Sequence, residues 1–259
     1  MFQPVLPSGG LIGWRYLERT LDKQQATHAA SGLPERQLTH FRDRIASVET
    51  AGQLVADRRL LEVALTAFGL EEDIDARFFI RRVLEDGTSD PDALSNRLAD
   101  RRYRELSRAF GFDRVGGANT QLPGFADRIA ARFAARSFEA AVGERDERLR
   151  LALDARRSLP QIGARGASDE TAWFTVLGTP PLRRVIEGAL GLPEGIGALD
   201  LDRQLAEFQD RAKRQFGVET LSELASEDVL PRVIDAFLIR QGTSAAPVSS
   251  PALMLLRGF

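Results

Sequence analysis

One short stretch of the sequence occurs twice in related form. LLEVALTAFGLEEDI begins at Leu60 and LRRVIEGALGLPEGI begins at Leu182, 122 residues further along the chain. In both, apolar residues recur at intervals of three and four, which places them along one side of an α-helix. Gly69 and Gly191 follow these runs at the position where a left-handed glycine commonly ends a helix. The sequence therefore predicts the same kind of buried helix at two places.

The likeness continues beyond this helix. ALSNRLADRRYRELSRAF, from Ala93, aligns with small slips to TLSELASEDVLPRVIDAF, from Thr220. The repetition thus covers roughly 55 residues, longer than one helix and typical of a structural repeat. Internal duplication of a helical unit explains it. The alternative is that two leucine-rich core helices resemble each other through composition alone.

Helical periodicity runs through nearly every segment, and no segment alternates convincingly with a period of two. We therefore predict an all-α fold, a multi-helix bundle that contains two related helical units and no sheet. Within it, Thr50 is expected to cap a short helix. Phe78, Phe79, Val83 and Leu84 are expected to form the apolar face of another.

Breaks in the helical pattern divide the chain into five predicted parts. The best candidate boundary between the two units is SLPQIGARGASDE, which is short of large apolar residues and rich in glycine, serine and proline. The predicted parts are an N-terminal arm and helix (1–32), a first helical unit with a long helix at 125–157 (33–157), a linker (158–170), a second helical unit (171–241), and a linker with an apolar C-terminal tail (242–259). Gly143 lies in the middle of the long helix and leaves open the alternative of two helices that meet there.

Composition narrows the classes of function. The chain has 259 residues, no cysteine and a formal charge of -2. These features argue against disulfides, thiolate metal sites and charge-driven binding to nucleic acid. No apolar run has the length of a transmembrane helix, and the N-terminus is not a conventional cleaved signal peptide. We expect no membrane insertion and a cytoplasmic location, unless the protein is exported without a cleaved signal.

No motif commits the chain to a reaction. His28 and His40 lack further ligands at zinc-site spacing, and the glycine clusters match neither a dinucleotide nor a phosphate loop. The acidic run from Glu85 to Asn96 fails the EF-hand pattern. Arginine pairs are interpreted as intrahelical ion pairing, for example Arg58 with Glu62. We therefore predict no catalytic, cofactor-binding or metal-binding residues.

Apolar groups near the two termini are the predicted contacts for a protein partner. The alternative is that both ends pack on the chain's own domain. The predicted contact residues are Trp14, Tyr16 and Leu17 in the first helix and Leu253, Met254, Leu255, Leu256 and Phe259 in the tail.

Several segments in order resemble a known family. They include ADRRLLEVALTAFGLEEDI, SDPDALSNRLADRRYRELSRAFGF and WFTVLGTPPLRRVIEGALGLP. This set resembles the alphaproteobacterial family labelled domain of unknown function 1217. The resemblance implies an association with flagellar gene clusters, no established enzymatic activity, and no catalytic residues to assign.

Two functional expectations follow. The first is a non-enzymatic interaction or structural protein of flagellum assembly or of the basal body, with a flagellar component as its partner. Its location is then the cytoplasm or the flagellar basal body, and its oligomeric state stays open. The alternative is a small enzyme or ligand-binding protein with a site between the two helical units.

Overall fold

The structure, a computed structural model, describes residues 2–164 and 168–244, which form fourteen α-helices and no strand. The predicted all-α class is thereby confirmed. The predicted tail contacts from Leu253 to Phe259 lie outside the described residues. The helices are α1 (Gly10–Ala29), α2 (Gly32–Arg44), α3 (Ala51–Ala56), α4 (Arg58–Phe68), α5 (Arg77–Asp86), α6 (Leu94–Arg97), α7 (Arg101–Phe110), α8 (Phe125–Gly143), α9 (Glu147–Gly163), α10 (Asp169–Leu177), α11 (Pro180–Leu190), α12 (Leu201–Phe216), α13 (Leu221–Leu224) and α14 (Leu230–Ser244).

The first hydrophobic core surrounds α4. Helices α2, α3, α7 and the first half of α8 pack on it, because eight of its eleven residues are buried. The predicted cap at Thr50 is confirmed: its hydroxyl accepts from the N–H of Gln53, whose side chain accepts from Thr50 N–H in return. On α5 the prediction was wrong in one residue. Ile80, Val83 and Leu84 are buried, whereas Phe78 is 85% exposed.

The second core surrounds α11 and α9, and it includes α1. Trp14 and Leu17 of α1 join it, although α1 comes before the whole first unit in sequence. The boundary between the two cores falls inside α8, where Phe133 belongs to the first core and Phe138 to the second. Helix α8 is thus the element shared by both cores, and the predicted division at residues 158–170 is not where the cores separate.

The predicted long helix at 125–157 is two helices. Helix α8 ends at Gly143 and α9 starts after Asp146, whose carboxylate accepts from the N–H of Arg148. The same carboxylate accepts from Gly10 N–H at 3.1 Å, so this turn also holds the start of α1. A capping carboxylate and a tertiary contact together favour a turn where periodicity alone suggested continuation.

The predicted linker is also largely helical. Helix α9 continues through Pro160 to Gly163, because Leu159 and Ile162 are buried in the second core. Loss of one backbone hydrogen bond at proline is offset by burial of these two side chains.

The two predicted units present the same order of elements. The series α3, α4, a 3-10 turn, α5, α6, α7 in the first is matched by α10, α11, a 3-10 turn, α12, α13, α14 in the second. Gly69 and Gly191 end α4 and α11 with φ of 72° and 62°, both left-handed, as predicted. This parallel supports a common origin of the two units, which stays a prediction.

Across the described ranges, none of the helices combines the length and the apolar character needed to cross a lipid bilayer.

Candidate functional site

The predicted partner contacts on α1 face mostly inward. Trp14 and Leu17 have no exposed surface, and Tyr16 is partly buried. The expectation that Trp14 and Leu17 contact a partner is therefore corrected, because the second core covers both. Of the two possibilities that the sequence left open, packing on the chain's own domain holds for these two residues.

The exposed large apolar residue of α1 is Ile12. It is 76% exposed, and Ile239 of α14 is 53% exposed. An ion pair between Arg15 and Asp235 joins the two helices. Ile12 lies one turn before Arg15 and Ile239 one turn after Asp235, so both border this crossing. We call Ile12 and Ile239 the terminal apolar patch.

The course of the helices indicates that both isoleucines lie on the same side of the ion pair. Helix α9 starts beside Gly10, at Asp146, and ends beside α13, where Gly163 closely approaches Ser222. Helix α14 follows α13 and packs on α9. Its later turns therefore run back toward the start of α1, which brings Ile239 toward Ile12. The sequence did not identify this pair, since periodicity cannot show which apolar residue of a terminal helix stays uncovered.

The cleft between the two units is narrow and ionic. Its volume is about 40 Å³, room for roughly three water molecules. Helices α4, α7, α8, α9 and α11 contribute its walls. Sites for drug-sized ligands hold about 300–1,000 Å³. The cleft is thus much smaller than the site that the ligand-binding alternative requires.

Two buried carboxylates hold this cleft together. Glu139 on α8 accepts from Arg157 Nε at 2.8 Å, and Asp154 on α9 accepts from Arg157 Nη2 at 2.8 Å and from Ser158 Oγ at 2.7 Å. Arg136 lies 3.0 Å from Asp154. Removal of one member of such a buried ionic group commonly costs about 3–5 kcal/mol, because its partners stay buried and unpaired.

The two carboxylates are perturbed in opposite directions. Burial raises the pKa of Glu139 above its usual value, and the nearby arginines only partly oppose it. Burial also acts to raise the pKa of Asp154, but the charges of Arg136 and Arg157 bring that pKa below its usual range. A perturbed buried acid can mark a functional site. Here each carboxylate is engaged by arginine across the α8–α9 contact, which is a structural role.

A wider, open groove lies elsewhere, between α2 and the start of α4. This open groove of about 680 Å³ is lined by His40, Arg44, Ser47, Val48, Gln53, Ala56, Asp57, Arg58, Arg59 and Leu60. His40 Nε2 donates to Asp57 Oδ2 at 2.9 Å. The sequence offered only a partial signal: Asp57 stood at a helix start, but nothing showed that His40 would reach it from α2.

The two histidines have different surroundings. His28 is buried between Phe2 and Phe138, and its Nε2 lies 3.1 Å from Ser137 Oγ. Burial lowers its pKa. Neither histidine belongs to a group of three or more metal-ligating side chains among the residues described.

Comparison with known proteins gives a family and a fold relative. The chain is 26% identical to a protein of Agrobacterium tumefaciens whose crystal structure was determined by structural genomics, with a TM-score of 0.75. The match covers 95% of this chain and 99% of that one. No curated protein matches the sequence. A family model matches residues 67–228, more than half of the chain. The chain therefore belongs to the family described as protein of unknown function (DUF1217).

Proposed function

We propose that this chain is a non-enzymatic protein that binds another protein, a component of the bacterial flagellum, during assembly or in the basal body. The flagellar setting rests on the family resemblance of the sequence. The interaction role is supported chiefly by the terminal apolar patch, where Ile12 and Ile239 stay exposed on two joined helices. Contiguous exposed apolar groups mark contact points between proteins whereas single ones are ordinary, so the two isoleucines support this role as a pair.

The size of the inter-unit cleft supports this proposal over the alternative. A ligand-binding protein with its site between the units needs a cavity there, and about 40 Å³ is too small for an organic substrate. Enlarging the cleft would require its lining residue Arg157 to move, and Arg157 is paired with Glu139 in one of the ion pairs between α8 and α9. Binding at an outer surface needs no such rearrangement.

The first experiment locates the protein in the cell. Quantitative mass spectrometry of cytosol, membrane and purified basal bodies from the source organism measures where it is recovered. Recovery in fixed stoichiometry with basal bodies supports a structural role, and recovery in the cytosol with a flagellar protein supports an assembly role. Recovery with no flagellar protein in any fraction contradicts the proposal.

The second experiment tests the patch itself. The double variant Ile12→Asp/Ile239→Asp is expected to lower co-recovery of the partner at least about tenfold, a loss of about 1.4 kcal/mol. Phe78→Asp is the matched control, because Phe78 is also exposed but lies on α5 in the first unit. Equal recovery with the double variant and the control contradicts a role for the patch.

The predicted tail contacts give a third test. Deletion of residues 251–259 is expected to leave the melting temperature of the fold nearly unchanged and to weaken partner capture. A large fall in melting temperature instead assigns the tail to the core.

A further inference from the structure

The α2–α4 groove has a charge distribution that the proposed function does not use. Of its charged lining residues, Asp57 is the one acid, and Arg44, Arg58 and Arg59 are the cations. Both oxygens of Asp57 are already occupied. Oδ1 accepts from the N–H groups of Arg59 and Leu60, and Oδ2 accepts from His40. The acid is therefore engaged within the protein, and the arginines face the groove without it.

Two of these arginines make no ion pair with any described residue. The third, Arg58, pairs with Asp75 at 2.9 Å and not with Glu62 as predicted. Arg42, which does not line the groove, lies 3.3 Å from Asp127. Neither Arg44 nor Arg59 has a comparable partner in the described part of the chain. A guanidinium group presents a planar fork of donors that matches a carboxylate. The groove thus presents two guanidinium groups beside the buried apolar residues Val48 and Leu60.

The second unit lacks this arrangement at the equivalent position. At the constant offset of the repeat, Asp57, Arg58 and Arg59 correspond to Thr179, Pro180 and Pro181. Proline serves the first turn of a helix well but carries no charge and donates no hydrogen bond. The arginines at the start of α4 therefore belong to the first unit alone, and the repeated helix forms without them in the second.

The shape of the groove decides between kinds of anionic ligand. A small molecule is usually enclosed over most of its surface, but this groove of about 680 Å³ is open along one side. An extended polypeptide can lie along such a groove and direct carboxylates to separate arginines. We propose that the α2–α4 groove binds an acidic segment of the partner protein, with Arg44 and Arg59 as its carboxylate contacts. This inference rests on the proposed interaction function.

Fluorescence polarisation with the full chain tests the inference. The probe is a fluorescein-labelled twelve-residue peptide of alternating glutamate and serine. Arg44→Gln/Arg59→Gln is expected to weaken its binding at least tenfold. Arg104→Gln/Arg211→Gln is the matched control, because these two exposed arginines also form no ion pair with described residues and lie outside the groove. The control is expected to stay within twofold of the unaltered protein, and thermal melts verify that both variants fold.

Four outcomes overturn the inference. They are absence of peptide binding, equal weakening in both double variants, displacement of the peptide by inorganic phosphate at similar concentration, and tighter binding of a twelve-nucleotide RNA than of the peptide. Arg44→Lys/Arg59→Lys keeps the charge but removes the fork and is expected to restore binding only in part. If the peptide fails to bind while Ile12→Asp/Ile239→Asp still lowers partner recovery, the groove inference fails and the proposed function stands.

Discussion

The two repeated helices, α4 and α11, have the same length and the same ending but different surroundings. Each has eleven residues, and each is followed by a left-handed glycine. Leu61 and Leu65 of α4 are fully buried. At the corresponding positions α11 carries Arg183 and Glu187, which form an ion pair at 2.7 Å and are partly exposed. The repeated sequence thus accounts for the helix and its glycine ending. The neighbouring elements determine whether the other positions are buried and apolar or partly exposed and charged.

The largest expected effect separates these corresponding residues. Leu61→Ala should lower the free energy of unfolding by about 2–5 kcal/mol, because it leaves a cavity in a closed core. Arg183→Ala should lower it by less, about 1–2 kcal/mol, since it removes a partly exposed ion pair with Glu187 and one hydrogen bond to Gln204 but leaves no apolar cavity. Urea unfolding of both variants measures the difference. Similar losses in the two variants contradict the view that α4 is enclosed and α11 partly open on this side.

The glycines that end the two helices are expected to contribute equally to stability. Gly69→Ala and Gly191→Ala should each cost about 1–2 kcal/mol, because a residue with a Cβ is strained in the left-handed region. The added Cβ would meet an arginine at similar distances, Arg136 at 3.4 Å and Arg240 at 3.3 Å. Gly116→Ala is the control, with ordinary φ and open space around it. Differential scanning calorimetry measures the stability of each variant. A clear loss of stability in only one of the two glycine variants contradicts the equivalence of the two helix ends.

Local features of the fold were predictable from the sequence because their causes are local. The left-handed Gly69 and Gly191 and the cap at Thr50 follow from residue type and spacing. The sequence left open whether 125–157 is one helix or two that meet at Gly143, because the break depends on Asp146 binding Gly10 across the fold. The division into two cores was missed for the same reason: α1 packs with helices far along the chain.

The functional surfaces were less predictable than the fold. Trp14, Leu17 and Ile12 share one helix, and the sequence alone does not show which of them the second core covers. Only Ile12 stays largely exposed. The His40–Asp57 contact joins residues from α2 and the α4 cap, and no motif spacing announces it. Surfaces depend on what remains uncovered, which is a property of the whole fold.

The N-termini of the two helices give the smallest expected effect. Asp57 caps α4 through its side chain, whereas Thr179 makes no capping bond to α11, which begins with Pro180 and Pro181. Asp57→Ala should therefore cost about 1 kcal/mol, the usual value of a lost cap. Thr179→Ala should stay within about 0.5 kcal/mol of the unaltered protein, as for substitutions away from such features. Equal costs would show that the cap at Asp57 does not distinguish the two helices.

The pH dependence of this cap sharpens the test. Burial acts to raise the pKa of Asp57, but His40 and the N–H groups of Leu60 and Arg59 stabilise the carboxylate and bring that pKa below its usual range. A carboxylate with a lowered folded-state pKa binds fewer protons folded than unfolded. Its contribution is full above the unfolded value and is lost as the pH falls through the folded value. Asparagine also caps helices but does not titrate, so the stability of Asp57→Asn relative to the unaltered chain should rise as the pH falls from 5 to 3. A relative stability that stays flat across this range, measured by urea unfolding, would show that the His40–Asp57 contact does not stabilise the charged carboxylate.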